Sequence, residues 1–68
     1  MTYKLPKSET SKVIIRNTKG EEKYLISQKT NELLFFLYEI IDGKLNKLGQ
    51  ANSPTKLETK FNVWKNIK

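Results

Sequence analysis

The chain has 68 residues with neither Cys nor His. One small domain must therefore hold together by core packing, without disulfides, thiolate metal sites or the commonest general base. The formal charge is +6, from 13 Lys and Arg against 7 Asp and Glu, and no apolar run reaches the length of a membrane span, which needs roughly 18–20 residues.

Residues 1–11 are polar, with Pro6 and several Ser and Thr residues but no periodicity, and read as a flexible arm. The segment Met1–Lys7 has no apolar signal region, so a cytoplasmic location is expected. The domain proper is expected over 12–68. Lys12–Arg16 is short and β-branched, a strand with Val13 and Ile15 on one face. Asn17–Gly20 supplies turn residues. Glu22–Gln28 then alternates, with Tyr24 and Ile26 on one side and Lys23, Leu25 and Ser27 on the other. Together these segments predict a β-hairpin with Arg16 across from Glu22, followed by a polar connector, Lys29–Glu32.

Residues 33–41 form the spine, with eight apolar residues interrupted only by Glu39. A helix capped at Thr30 or Asn31 and ended by Gly43 fits this run. A strand fits it too, because Asp42-Gly43 is among the strongest signals for a type I′ hairpin turn, and Lys44–Leu48 follows at strand length. The strand is the better reading. A two-residue loop sets Ile40 opposite Leu45, Tyr38 opposite Lys47 and Leu37 opposite Leu48. The uneven spacing of Leu45 and Leu48 predicts a bulge near Gly49. One face of the hairpin then carries Leu34, Phe36, Tyr38, Ile40 and Leu45. The other carries Phe35, Leu37, Ile41 and Leu48 around Glu39.

Ser53-Pro54 is a helix start, with Ser53 as N-cap and Pro54 at N1. Leu57, Phe61, Trp64 and Ile67 recur near helical spacing and read as the lid of the core. The expected fold class is therefore α+β: a four-stranded antiparallel β-meander made of two hairpins, with one C-terminal amphipathic helix on one face.

Chemistry is sparse. No nucleophile has a base partner, no Gly-rich phosphate loop is present, and Glu21 and Glu22 point to opposite faces of a strand. No catalytic residue, cofactor, metal ligand or small-molecule substrate is assigned, and an enzyme is not expected. Contact at a surface is the expected way of working. A strand apolar on both faces needs two covers, and one helix provides one. That leaves Phe35, Leu37, Ile41 and Leu48 as interface candidates for a partner protein or a second copy of the chain. Leu37→Lys separates an interface, which loses binding with the fold intact, from a core, which unfolds.

The alternative is nucleic-acid binding, on single strands or duplex. Residues 1–20 carry five basic residues against Glu9, a net of +4, and residues 44–68 carry six Lys against Glu58, a net of +5. Residues 21–43 have a net charge of −3. Lys12, Arg16, Lys23, Lys44 and Lys47 are the phosphate-contact candidates, with Tyr3, Tyr24, Phe35 and Tyr38 as stacking rings. Against this, Arg16 is the single Arg among the 13 basic residues, and base readout favours Arg. In style rather than by motif, the small size and the Lys-, Asn- and Ile-rich composition resemble accessory proteins of phages and mobile elements in low-GC bacteria.

Overall fold

The computed structural model describes residues 4–66. Four strands run in chain order across one antiparallel sheet, β1 (Glu9–Arg16), β2 (Glu22–Lys29), β3 (Phe35–Ile41) and β4 (Lys44–Ala51). Two short helices come next, α1 (Pro54–Lys60) and α2 (Val63–Asn66). This is the expected α+β meander, and β1 and β4 are its two edges.

Local chemistry explains each turn. The Asn17 side-chain oxygen accepts from the backbone N–H of Lys19 and of Glu21, each at 2.9 Å, while Gly20 adopts φ +84°. Asp42 and Gly43 both have positive φ, 50° and 78°, as a type I′ turn demands. The loop after β2 turns at Asn31, φ 65°, and closes where Lys29 N–H donates to the Leu34 carbonyl. That loop holds Leu33 outside the sheet, 78% exposed, so β3 starts two residues later than the apolar run.

Strand β1 starts at Glu9, inside the span expected to be an arm. Glu9, Thr10 and Ser11 pair with Lys29, Gln28 and Ser27. These polar residues have no apolar alternation to announce a strand. Ladder bonds and the Glu9 carboxylate hold them instead. A bulge at Lys12 shifts the register before Val13, and a second irregularity brings Arg16 opposite Glu22. Their ion pair measures 3.1 Å, as expected across this hairpin.

In β3–β4, Ile40 pairs with Leu45 and Tyr38 with Lys47, as the two-residue turn requires. The predicted bulge falls at Leu48, so Leu37 meets Gly49 rather than Leu48. The side of the sheet that faces the helices, the helix face, holds Ile15, Tyr24, Ile26 and Leu37, with Phe35, Leu48 and Ala51 around them. Leu57, Phe61 and Val63 cover it. Burying each aliphatic side chain of this kind contributes about 1.5–3 kcal/mol.

The helices thus occupy the face of Phe35, Leu37 and Leu48, which sequence reading leaves bare. The reason lies in β4. On this face it presents Gly49 and Ala51, small enough for a helix to approach. On the other it presents Lys47 and Gln50. A Cβ at Gly49 would lie 2.4 Å from Cζ of Phe61, so the bare glycine is the seat of that ring.

The C-terminal stripe also needs correction. Ser53 caps α1, its Oγ accepting from Lys56 N–H, and Pro54 opens the helix as expected. The helix then stops at Phe61, and Asn62 turns left-handed at φ 51°. Asn tolerates that conformation better than most residues. The turn rotates α2 relative to α1, so Val63 is fully buried and Trp64 is 60% exposed. Leu57, Phe61 and Val63 form the lid, while Ile67 lies outside the described residues.

Candidate functional site

The sheet has a second apolar cluster on the opposite side, the open face. Leu25, Phe36 and Tyr38 are buried at its centre, with Leu5, Ile14, Leu34, Ile40 and Leu45 half-buried around them. Strand alternation places these residues together: Leu25 pairs with Tyr38, Ile14 with Leu25, and Ile40 with Leu45. Both described helices pack on the other side. Over this face lie Leu5, from the segment before β1, and Lys47, whose Nζ sits 3.9 Å from the centre of the Phe36 ring.

One end of the open face is polar. Ser27, fully buried, donates from Oγ to Oε1 of Glu9 at 2.7 Å, and the Tyr38 hydroxyl donates to the same oxygen at 2.5 Å. Burial, then the hydrogen bond and charge of Glu9, pushes the Tyr38 phenol up to about 12. The pair satisfies two hydroxyls that would otherwise be buried without partners, and it anchors the start of β1. Thr30 N–H donating to the Ser8 carbonyl at 2.7 Å fixes the preceding residue. Among the described residues, no cluster of three His, Cys, Asp or Glu is placed to hold a metal ion.

The candidates chosen from sequence divide between the two faces. Leu37 is fully buried, and Phe35 and Leu48 pack with it beneath the helices. Ile41 lies beyond the lid and is 48% exposed. Of the basic candidates, Lys47 pairs with Tyr38 on the open face, and Lys23 reaches the same face by alternation with Leu25. The register irregularity after Ile15 instead sets Arg16 against Glu22, which alternates with Tyr24 and Ile26 of the helix face. Lys44, opposite Ile41, belongs to the helix face, and Lys12 stands at the β1 bulge. Two of the five, Lys23 and Lys47, therefore share the open face. Tyr24 and Tyr38 are buried, 7% exposed each, and Phe35 is half-buried, so these rings have no free face for a base. Tyr3 lies outside the described residues.

A second feature lies at the β4 edge. Gln50 and Ala51 of β4, with Thr55, Lys56, Thr59 and Lys60 of α1, line a groove of about 490 Å³. The repeat Thr-Lys at 55–56 and 59–60 is a four-residue helical spacing, which sets one polar stripe along α1. That repeat was the available signal in the sequence. Only the strand edge beside it gives the stripe meaning. Glu58 turns elsewhere, accepting from Trp64 Nε1.

The chain matches no family model, no curated protein and no solved structure. Among the described residues, no helix is long and apolar enough to cross a membrane.

Proposed function

We propose that this protein is a small non-enzymatic docking module that binds a partner protein in the cytoplasm through its open sheet face. The observation that carries the reading is the second apolar cluster, Leu25, Phe36 and Tyr38 ringed by half-buried aliphatic residues, on the side without a helix. Its two covers, Leu5 and the Lys47 side chain, are the parts a partner displaces most cheaply. The occupant is a partner whose apolar side chains are ringed by carboxylates, because Lys23 and Lys47 rim the face. A second copy is disfavoured on the same ground, since two-fold self-pairing of this face opposes basic rims on a chain of charge +6.

The same basic rim also supports nucleic-acid binding. The burial of Phe36 and Tyr38, 6% and 7% exposed, counts against stacking and makes that the second reading. Site-resolved photo-crosslinking tests both. A benzophenone amino acid at Leu45, on the open face, is compared with one at Asn46, on the helix face. The expected result is one protein adduct at position 45 that is absent at 46. Adducts only with nucleic acid or with the protein itself, or equal labelling from both positions, would overturn the proposal.

A further inference from the structure

The β4–α1 groove lies on a free strand edge and is separate from the open face. We infer that it takes an extended, acidic peptide segment, which adds to the sheet alongside β4 and sets its carboxylates on Lys56 and Lys60.

Three observations converge on that occupant. First, β4 ends the sheet, so among the described residues one side of its backbone has no strand partner. An extended chain supplies the missing donors and acceptors, and that recognition mode draws its affinity from main-chain hydrogen bonds. The other edge is less suited, because β1 has two register shifts where β4 has one, at Leu48, and bulges twist an edge away from pairing.

Second, the charge is one-signed. Lys56 and Lys60 line the groove, no carboxylate among the described residues does, and β4 itself carries Lys44 and Lys47 with no acidic residue. Third, the spacing matches. Residues four apart on a helix are separated by about 6 Å along its axis, and alternate residues of a strand by about 6.8 Å. Where the peptide runs along α1, carboxylates on its alternate positions keep step with Lys56 and Lys60. The side chains between them meet Ala51 and the methyl-bearing Thr55 and Thr59. Nucleic acid fits less well, since a phosphate chain would engage the lysines but leave the strand edge unpaired.

The probe is a fluorescein-labelled octapeptide of alternating Glu and Val, titrated by anisotropy against the full chain. Two further peptides are measured, one with Pro in place of every Val and one with Lys in place of every Glu. The alternating Glu–Val peptide is expected to bind, with ¹⁵N chemical-shift changes confined to residues 44–51 and 54–60. The Pro version keeps the charge but lacks half the N–H donors, and is expected to bind about tenfold more weakly or worse. The Lys version, of the wrong sign, is expected not to bind. Lys56→Glu with Lys60→Glu is expected to weaken binding about tenfold. Lys56→Gln with Lys60→Gln is the fallback should the reversal disturb the helix.

Equal binding of the Pro peptide would reduce the site to bare charge attraction and overturn strand addition. Shift changes centred on Leu25, Phe36 and Tyr38 would move the contact to the open face and overturn the groove. Tighter binding of a labelled single-stranded oligonucleotide to the same residues would overturn the peptide in favour of phosphate. None of these outcomes depends on the open-face proposal, which is read from position 45.

Discussion

Replacing Gly49 by Ala tests how the lid is seated. Gly→Ala in a strand at ordinary φ normally stabilises by ~0.4–1 kcal/mol, because the unfolded chain loses freedom. Here the added Cβ would lie 2.4 Å from Cζ and 2.9 Å from Cε2 of Phe61, whereas carbon atoms rest at about 3.5–4.0 Å. The ring must retreat by about 1 Å or more to restore that separation. Its backbone is not free to follow, since Phe61 N–H is bonded to the Leu57 carbonyl at 3.1 Å. Overpacking of this kind costs ~1–3 kcal/mol. The net expectation is a loss of about 1–2 kcal/mol, or a fall in Tm of roughly 5–15 °C for a domain of this size. Urea unfolding followed by circular dichroism measures it, in the wild type and in a Phe61→Leu background. In that background the same Gly49→Ala change should become neutral or stabilising, because the smaller side chain leaves room for the methyl group. A stabilised Gly49→Ala single variant, or identical effects in both backgrounds, would refute the argument that Phe61 sits on a glycine seat.

Burial sets two further outcomes. Leu37 is fully buried under the lid, so Leu37→Lys should abolish the folded circular dichroism spectrum, an unpaired buried ammonium being far costlier than a lost contact; a folded variant would show that the lid lifts readily. Tyr38 holds its proton up to about 12, above the ordinary phenol value of about 10. Its contribution is therefore complete below pH 10 and is lost as pH rises through 12, a difference on the order of 2–3 kcal/mol. Ultraviolet titration of the wild type should show a phenolate step near 12 that Tyr38→Phe lacks, and full ionisation near pH 10 with the fold intact would contradict the Glu9 contact.

Much of the architecture was legible in local chemistry. Asp42-Gly43 specified a turn with two positive φ values, and that turn set the Ile40–Leu45 and Tyr38–Lys47 register. Ser53-Pro54 marked the helix start because cap and first-turn preferences are local. The misplaced details depended on partners distant in sequence. Glu9–Ser11 look like arm residues until Ser27 and Tyr38 supply the hydroxyls that hold Glu9. Helical spacing proposed Trp64 as a lid residue, but one left-handed residue, Asn62, exchanged it with Val63. Which face the helix would take was written in Gly49 and Ala51. A reading based on apolar residues alone overlooks small side chains, whose role is to leave room. The open face was visible as a composition, whereas the groove was not, since it needs a strand edge and a helix side by side.

The charge layout gains its meaning from topology. In a meander whose spatial order equals its chain order, a sequence that is basic, then acidic, then basic becomes a sheet with a more acidic middle and basic flanks. Lys12 and Arg16 stand on one outer strand, and Lys44 and Lys47 on the other, with Lys56 and Lys60 above it. Open sheet edges invite pairing with further copies of the same chain, and lysines along an edge are a common defence against it. Here both edge strands carry net positive charge, which opposes edge-to-edge contact between copies. An acidic segment meets attraction at the same places. On the proposed reading, one charge pattern both opposes self-assembly and favours a partner of opposite sign.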